Sequence, residues 1–203
     1  MKKILTLVLC MSVGISVLAQ KEDIKAIKNV YATYNKATAN RDAEESIRCL
    51  TTSSVEYYSK LLTLCKTADS ALLASLPAMD IFMTLTIKAR TDASLLCAMN
   101  SGEELLRHAL QEGMTGDTKS LDEITINGDS AYAIIKGSVV SVLFIKEPAG
   151  WKLDLTQSLS LIGQRIEASA QIYKIPKQEL CLAVLKQSAL EIPETIWEPA
   201  CKE

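Results

Sequence analysis

The sequence predicts an α+β protein, and three observations carry that prediction. Apolar residues recur at helical spacing from residue 21 to residue 113, alternate with polar ones from 118 to 156, and return to helical spacing from 158 to 190. Helices gathered ahead of a run of strands joined by short turns define the α+β class, in which helices cover one face of an antiparallel sheet. The tail, 191–203, has no regular period.

In the first helix the apolar positions are Ile24, Ile27, Val30, Tyr31, Tyr34 and Ala37, a single stripe, with Lys25, Lys28, Asn29 and Lys36 opposite. Asn40 and Arg41 break the pattern. Asp42, with Glu45 three residues on, forms a reciprocal capping pair for a short second helix that ends near Leu50. Ser53 with Glu56 repeats the signature ahead of a third helix, whose Tyr58, Leu61, Leu62 and Cys65 share a face. Helices are also predicted over Asp69 to Leu76, Ala78 to Arg90 and Asp92 to Met99, with Pro77 marking a junction because proline fits only a helix's first turn. Ser101 with Glu104 opens one more, and Gly113 closes it.

At Gly116 the texture changes. Leu121, Ile124 and Ile126 mark a first strand over Ser120 to Asn127, and Gly128 with Asp129 turns the chain into a second, Ala131 to Lys136. Gly137 turns it again into the β-branched run Val139 to Lys146, and Pro148 to Gly150 turn it into Trp151 to Thr156. Connections this short make neighbouring strands pair antiparallel, as a meander. Alternation in the last strand sets Trp151, Leu153 and Leu155 on one face and Lys152 and Asp154 on the other. Leu159, Ile162, Ile166, Ala170 and Tyr173 then form a helical stripe, and Pro176 opens a final helix with Leu180, Val184 and Leu185.

Composition excludes several classes of function. Of 203 residues, 48% are hydrophobic and 23% charged, a folded chain's mix and not that of a disordered or multi-pass membrane protein. Lys plus Arg total 22 against 24 for Asp plus Glu, a net charge of -2, so nothing draws the chain globally to phosphate backbones and no nucleic-acid partner is expected. The single histidine, His108, removes every multi-histidine metal site. No metal and no cofactor are expected, because nucleophile-elbow, Walker A, G-x-G-x-x-G, H-E-x-x-H, EF-hand and C-x-x-C motifs are all missing.

Residues 1–19 read as a secretory signal of bacterial type: Lys2 and Lys3, an apolar stretch from Ile4 to Ile15, then Val17 and Ala19 at the small-residue positions. Cleavage is expected after Ala19, leaving 20–203 as one periplasmic or secreted domain. Thr6, Ser12, Gly14 and Ser16 interrupt the apolar stretch, and a spanning helix needs about twenty apolar residues, so no stable membrane insertion is expected. Cleavage removes Cys10 and leaves Cys49, Cys65, Cys97, Cys181 and Cys201, an odd set with at least one thiol unpaired or bonded to another chain. Adjacent leucines favour small buried hydrophobes at Cys49, Cys65, Cys97 and Cys181, and the pairing among the five stays open.

The tyrosine helix (Val30, Tyr31, Tyr34), the turn at Arg41-Asp42, the stretch Thr51 to Leu62, the Gly128-Asp129 turn and the strand Gly150 to Leu155 together resemble the NTF2-like superfamily. More narrowly, the chain is similar to exported bacterial members with helices inserted before the sheet and an Ile-Trp-Glu-Pro tail, here Ile196 to Pro199. The resemblance implies a cone: a curved antiparallel sheet of about four strands packed against N- and C-terminal helices, open at one end, and able to form a homodimer through the sheet. It names no activity, since one fold hosts many. The inserted segment, from Asp69 to Glu112, can fill or lid the opening.

Tyr34, Tyr57, Tyr58 and Trp151 are the candidate pocket lining, since aromatic rings offer broad apolar area with a polar tip. Ordinary core packing predicts the same spacing. Asp154 is the carboxylate to watch: buried among apolar groups its pKa would rise and suit it to proton transfer, while facing water it is a surface charge. His108 lies between Glu104 and Glu112, either as an oriented base or, favoured, as one member of ordinary i,i+4 pairs. Asp42 is favoured as a helix cap over a catalytic acid. The expected role is a non-enzymatic binding module for a small apolar ligand or a protein partner, the alternative being a cofactor-free acid-base isomerase, cyclase or dehydratase. An enzyme needs an enclosed cavity with a buried ionisable group in reach.

Overall fold

The stripe that begins at Ile24 belongs to helix α1 (Lys2–Ala39) in a computed structural model of the chain. The structure describes residues 2–113, 119–138, 141–188 and 190–201, with side chains from Gln20 onward. The side chains of the expected signal, Gly116, and the expected start of the third strand at Val139 lie outside the described residues. Helices α2 (Ala43–Arg48), α3 (Thr52–Thr67), α4 (Ser70–Ser75), α5 (Ala78–Arg90), α6 (Ala93–Ala98) and α7 (Gly102–Gln111) precede strands β1 (Leu121–Asn127), β2 (Ser130–Ile135), β3 (Ser141–Glu147) and β4 (Gly150–Asp154). Helices α8 (Thr156–Tyr173) and α9 (Lys177–Gln187) follow. The protein is α+β, as the periodicity predicts. Among the described residues, no helix is long and apolar enough to cross a membrane.

The four strands form one antiparallel sheet in the order β1-β2-β3-β4, a meander. Gly128 and Gly150, in the tight turns, both have positive φ, which a glycine adopts without a Cβ penalty. Alternation decides the faces. Ala131, Ala133 and Ile135 of β2, Val142 and Phe144 of β3, and Trp151 and Leu153 of β4 are buried on the inner face, while Tyr132 and Ile134 stay exposed on the outer one. α1 lies against the inner face with Tyr31 edge-on to Phe144, ring centroids 6.2 Å apart. At the β4 edge, Leu153 donates to the Cys49 carbonyl and accepts from the Thr51 N–H, so the segment between α2 and α3 closes that edge.

Two apolar clusters hold the molecule. The sheet-side cluster joins α1, α2, α3 and α7 to the inner face and takes in Ile87, Leu96 and Met99 from the inserted segment. The second joins Leu64 and Ala68 of α3, Leu73 of α4, Ile81 and Leu85 of α5, Cys181 and Leu185 of α9, and Ile196 of the tail. α3 and α5 are therefore buried on two sides and couple the clusters.

Capping departs from the expected pattern in three places. Asp42 caps α2 by accepting from the Glu45 N–H, but Glu45 pairs with Arg48 instead of returning to Asp42. The cap of α3 is Thr51, not Ser53: its hydroxyl accepts from the Ser54 N–H, which frees Ser53 for another partner. Ser101 caps α7 as expected, while Glu104 reaches the Asn100 N–H. The last strand stops at Asp154, and Thr156 already belongs to α8.

Cysteine usage also departs. Cys97 lies on the exposed side of α6 and forms a disulfide with Cys201, Cα atoms 5.6 Å apart, whereas adjacency to leucine predicts a buried thiol. Cys49, Cys65 and Cys181 are buried thiols. Burial pushes Cys65 up to about 12 and Cys181 up to about 11, so both stay protonated and behave as small hydrophobes.

Gly102, at the start of α7, is set by packing. A Cβ there would lie 2.1 Å from the Ser59 backbone nitrogen of α3, an approach only a glycine allows. Gly102→Ala is expected to force the helices apart and cost about 3 kcal/mol, the upper end for overpacking a filled site. Urea denaturation reads this as a lower midpoint at constant slope. A midpoint equal to wild type would contradict the α3–α7 contact.

Candidate functional site

The five expected lining residues separate into three environments. Tyr34, Tyr58 and Trp151 are 4%, 2% and 4% exposed and belong to the sheet-side cluster. Burial raises the Tyr58 hydroxyl above its ordinary pKa, with the neighbouring Tyr34 adding to the shift. Trp151 donates its indole N–H to Asp23 of α1 at 2.7 Å, and the Lys146 ammonium reaches the same carboxylate at 2.8 Å. Trp151 thereby fastens α1 to the sheet, while Tyr34 of α1 and Tyr58 of α3 pack in the same core. Leu105, Leu106, Ala109 and Leu110 of α7 share the cluster, so this inserted helix, packed on α2 and α3, adds to the same apolar core.

Asp154 ends β4 and is 4% exposed, although its face of the strand is the polar one. The N-termini of α3 and α8 cover it. Thr51 Oγ1 and Ser53 Oγ donate to Oδ2 at 2.9 and 2.7 Å, and the Thr156 and Gln157 N–H groups donate to Oδ1 at 2.9 and 3.3 Å. The Thr156 hydroxyl also donates to Oδ1. Desolvation pulls the pKa upward, but the bonds from Thr156, Ser53, Thr51 and Gln157 together outweigh it and hold the carboxyl below its ordinary range. The raised pKa expected for an apolar setting is not found, because the neighbours are donors. Asp154 is a fixed anion that caps α8, with none of the attributes of a proton shuttle.

Tyr57 packs edge-on to Tyr58, ring centroids 6.3 Å apart, but its hydroxyl faces a different set of groups. Its hydroxyl donates to Asp80 Oδ1 at 2.9 Å, and the Lys60 ammonium reaches Asp80 Oδ2 at 2.6 Å. Asp80 itself is 5% exposed. Burial, then the Asp80 charge, push the Tyr57 pKa far above the ordinary phenol value. Both residues line a cavity of about 220 Å³ between α3, α5 and α8, together with Met79, Thr156, Gly163 and Glu167. A Cβ at Gly163 would lie 2.8 Å from the Met79 Cβ, so a glycine lets α8 close down on α5 there. Thr156 links this cavity to Asp154.

A larger opening lies between α1 and the start of β1. The groove encloses about 560 Å³, with Tyr31, Ala32, Ala39 and Leu121 offering apolar surface and Lys28, Lys36 and Lys119 supplying charge. Among the described residues, no carboxylate lines it. Asn35 donates its amide to the Lys119 carbonyl at 3.3 Å, and its Oδ1 is shut off from solvent with no hydrogen-bond partner among the described residues. Sequence reasoning missed this groove, although Lys28 and Lys36 lie on the polar face of the first helical stripe, because a lysine there reads as solvated surface.

His108 is half-buried, with Nε2 closed off and no hydrogen-bond partner among the described residues. The Glu112 N–H donates to the His108 carbonyl, but no side-chain hydrogen bond joins His108 to Glu104 or Glu112 among the described residues, so neither expected side-chain pairing forms. Asp42 serves as the α2 cap. Among the described residues, no cluster of His, Cys, Asp and Glu could hold a metal ion. Compared with protein-family models, curated proteins and solved structures, the chain matches none.

The Asp154 geometry fixes a pH dependence. A folded-state pKa below the ordinary 3.8 contributes stability that is complete above that value and disappears as pH falls through the folded value. Asp154→Asn should lower stability at neutral pH by about 3 kcal/mol, because donors from two helices lose a charged acceptor. It should also flatten the acid limb of the stability profile below pH of about 4. Chemical denaturation across pH checks both, and an acid limb unchanged by the substitution would count against the assignment.

Proposed function

We propose that the chain is an exported, non-enzymatic binding module of the NTF2-like type, and that its α1–β1 groove takes a small amphiphile with an acidic head. The groove carries the reading. Its volume of about 560 Å³ lies within the range of small-molecule sites, roughly 300–1,000 Å³, whereas apolar side chains fill the space between helices and sheet. The apolar floor suits a hydrocarbon body, and Lys28 and Lys36, exposed along α1, suit an anionic end. A meander covered on one face by a tyrosine-bearing helix supports the family reading.

The signal pattern supports export with cleavage after Ala19. The Cys97–Cys201 disulfide supports it independently, since such bonds persist in oxidising compartments. Mass spectrometry of the mature product should find Gln20 at its N-terminus, and a retained Met1 would end this part of the reading.

Acid-base catalysis is the second reading, and one observation favours it: Asp80 is a buried carboxylate beside a cavity. Against it, Tyr57 and Lys60 already occupy the two Asp80 oxygens, and about 220 Å³ is small for a substrate.

The binding reading has a direct test. Dodecanoate should bind measurably by titration calorimetry, and dodecanol should bind less well. The double variant Lys28→Glu/Lys36→Glu should weaken dodecanoate roughly tenfold, because reversing two exposed charges is worth about 1 kcal/mol or slightly more. Added salt should reduce the difference between variant and wild type. Equal affinity for acid and alcohol, or indifference to charge reversal, would remove the acidic-head assignment. Absence of binding by either would remove the groove.

A further inference from the structure

The C-terminal tail closes a second cavity on the far side of α5. It encloses about 410 Å³ and is walled by Lys88 to Ala93, Leu96, and tail residues between Pro193 and Ala200. Three attachments hold the tail in place. Ala200 donates to the Cys65 carbonyl, Cys201 donates to the Lys66 carbonyl, and Cys201 is bonded to Cys97. Ile196 is buried in the second apolar cluster.

Two polar side chains in this cavity are more than nine-tenths buried and incompletely satisfied. Lys88 is 8% exposed, and its ammonium donates to the Glu198 main-chain carbonyl; the Glu198 carboxylate acts on it electrostatically without forming an ion pair with it among the described residues. An ammonium carries three donors, so two are left over. Thr91 is 6% exposed, and its Oγ1 has no hydrogen-bond partner among the described residues. Folded proteins rarely leave such groups unsatisfied, because each costs the desolvation that water or a partner would have offset. The Cys65 thiol, close enough to interact electrostatically with Lys88, is kept neutral by its own burial, which leaves the more distant Glu198 carboxylate and no direct anionic partner.

We propose that this cavity binds a small organic monocarboxylate, its oxygens set between the Lys88 ammonium and the Thr91 hydroxyl and its apolar body against Leu96 and Ile196. A carboxylate supplies the acceptors that both groups lack. Ala89, Pro193 and Pro199 extend the apolar wall. Asp92 and Glu198 also line the cavity and oppose a second negative charge, while Arg90 adds a cation, so one carboxylate is favoured over two. Burial lowers the Lys88 pKa, and an anion seated there reverses that effect.

Titration calorimetry and amide NMR of the purified protein with butyrate, benzoate and succinate test the assignment. Butyrate or benzoate should bind saturably, with amide shifts concentrated at Thr91 and Ile196, and succinate should bind more weakly. Lys88→Met should weaken binding about tenfold or more, and Thr91→Val roughly threefold to tenfold, the range for losing a charged and a neutral hydrogen bond. Lys28→Glu/Lys36→Glu should leave the shifts at Thr91 and Ile196 in place whatever it does to binding in the α1–β1 groove, so the two sites fail separately. No saturable binding of the monocarboxylates, no shifts at Thr91 and Ile196, or affinities at this site that Lys88→Met and Thr91→Val both leave intact would overturn the proposal. If Lys88→Met does not fold, the nearly isosteric Thr91→Val and the location of the shifts decide the matter.

Discussion

One buried carboxylate organises the meeting point of sheet and helices. Asp154 stands where β4 ends, and its two oxygens accept from side chains at the start of α3 and from the backbone at the start of α8. Taking such a charge out of water is costly unless donors replace the water, and here hydroxyls and N–H groups converge on it from two helices. The helices in turn are directed. α3 leaves that point to form the spine between the two apolar clusters, and α8 leaves it to pack over α5 at Gly163. The same node extends through Ser54, which accepts from the Leu155 N–H, so the strand-to-helix corner has no unmet donor at that position.

From that corner follows the division of the interior. α3 turns Tyr58, Leu61 and Cys65 toward the sheet and Leu64 and Ala68 toward α4, α5 and α9. A helix buried on two sides cannot keep a wide polar face, and its polar residues become specific contacts: Tyr57 and Lys60 go to Asp80, and Lys66 goes to the Cys97 and Met99 carbonyls. The inserted helices finish the filling, with Leu96 and Met99 reaching the sheet-side cluster. Space for a ligand is then left at seams between elements, among them those where α1 meets β1 and where the tail crosses α5.

Residue spacing made the elements legible and left the partners obscure. Tyr58, Leu61, Leu62 and Cys65 announce a buried helical face, and Gly128 and Gly150 announce turns, because both signals are local. Asp154 shows the limit. Alternation along β4 correctly set it opposite Trp151, but its burial depends on Thr51 and Ser53, about a hundred positions away in sequence. A local sign existed, since Asp154 precedes Thr156 and Gln157 as a capping residue precedes a helix, yet the strand pattern concealed it. Cys97 shows the same limit. Leu96 beside it is buried and Cys97 is not, because adjacent helical positions point about 100° apart, and only the position of Cys201 reveals its role.

The disulfide explains how a tail without regular structure keeps a cavity closed. Segments of this kind have little buried surface and high conformational entropy, and ordinarily fray. Here Ile196 is the one fully buried tail anchor among the described residues, too little apolar area to fix the segment from Ile192 to Cys201. Cys97 and Cys201 are 104 positions apart, and in the chain-entropy model a link across a loop of that length is worth about 4–5 kcal/mol. That restraint acts on the unfolded chain, while in the folded protein it keeps the Glu198 carbonyl over Lys88. Stability and enclosure thus share one covalent bond, and the groove between α1 and β1, on the other side of the sheet-side cluster, is independent of it.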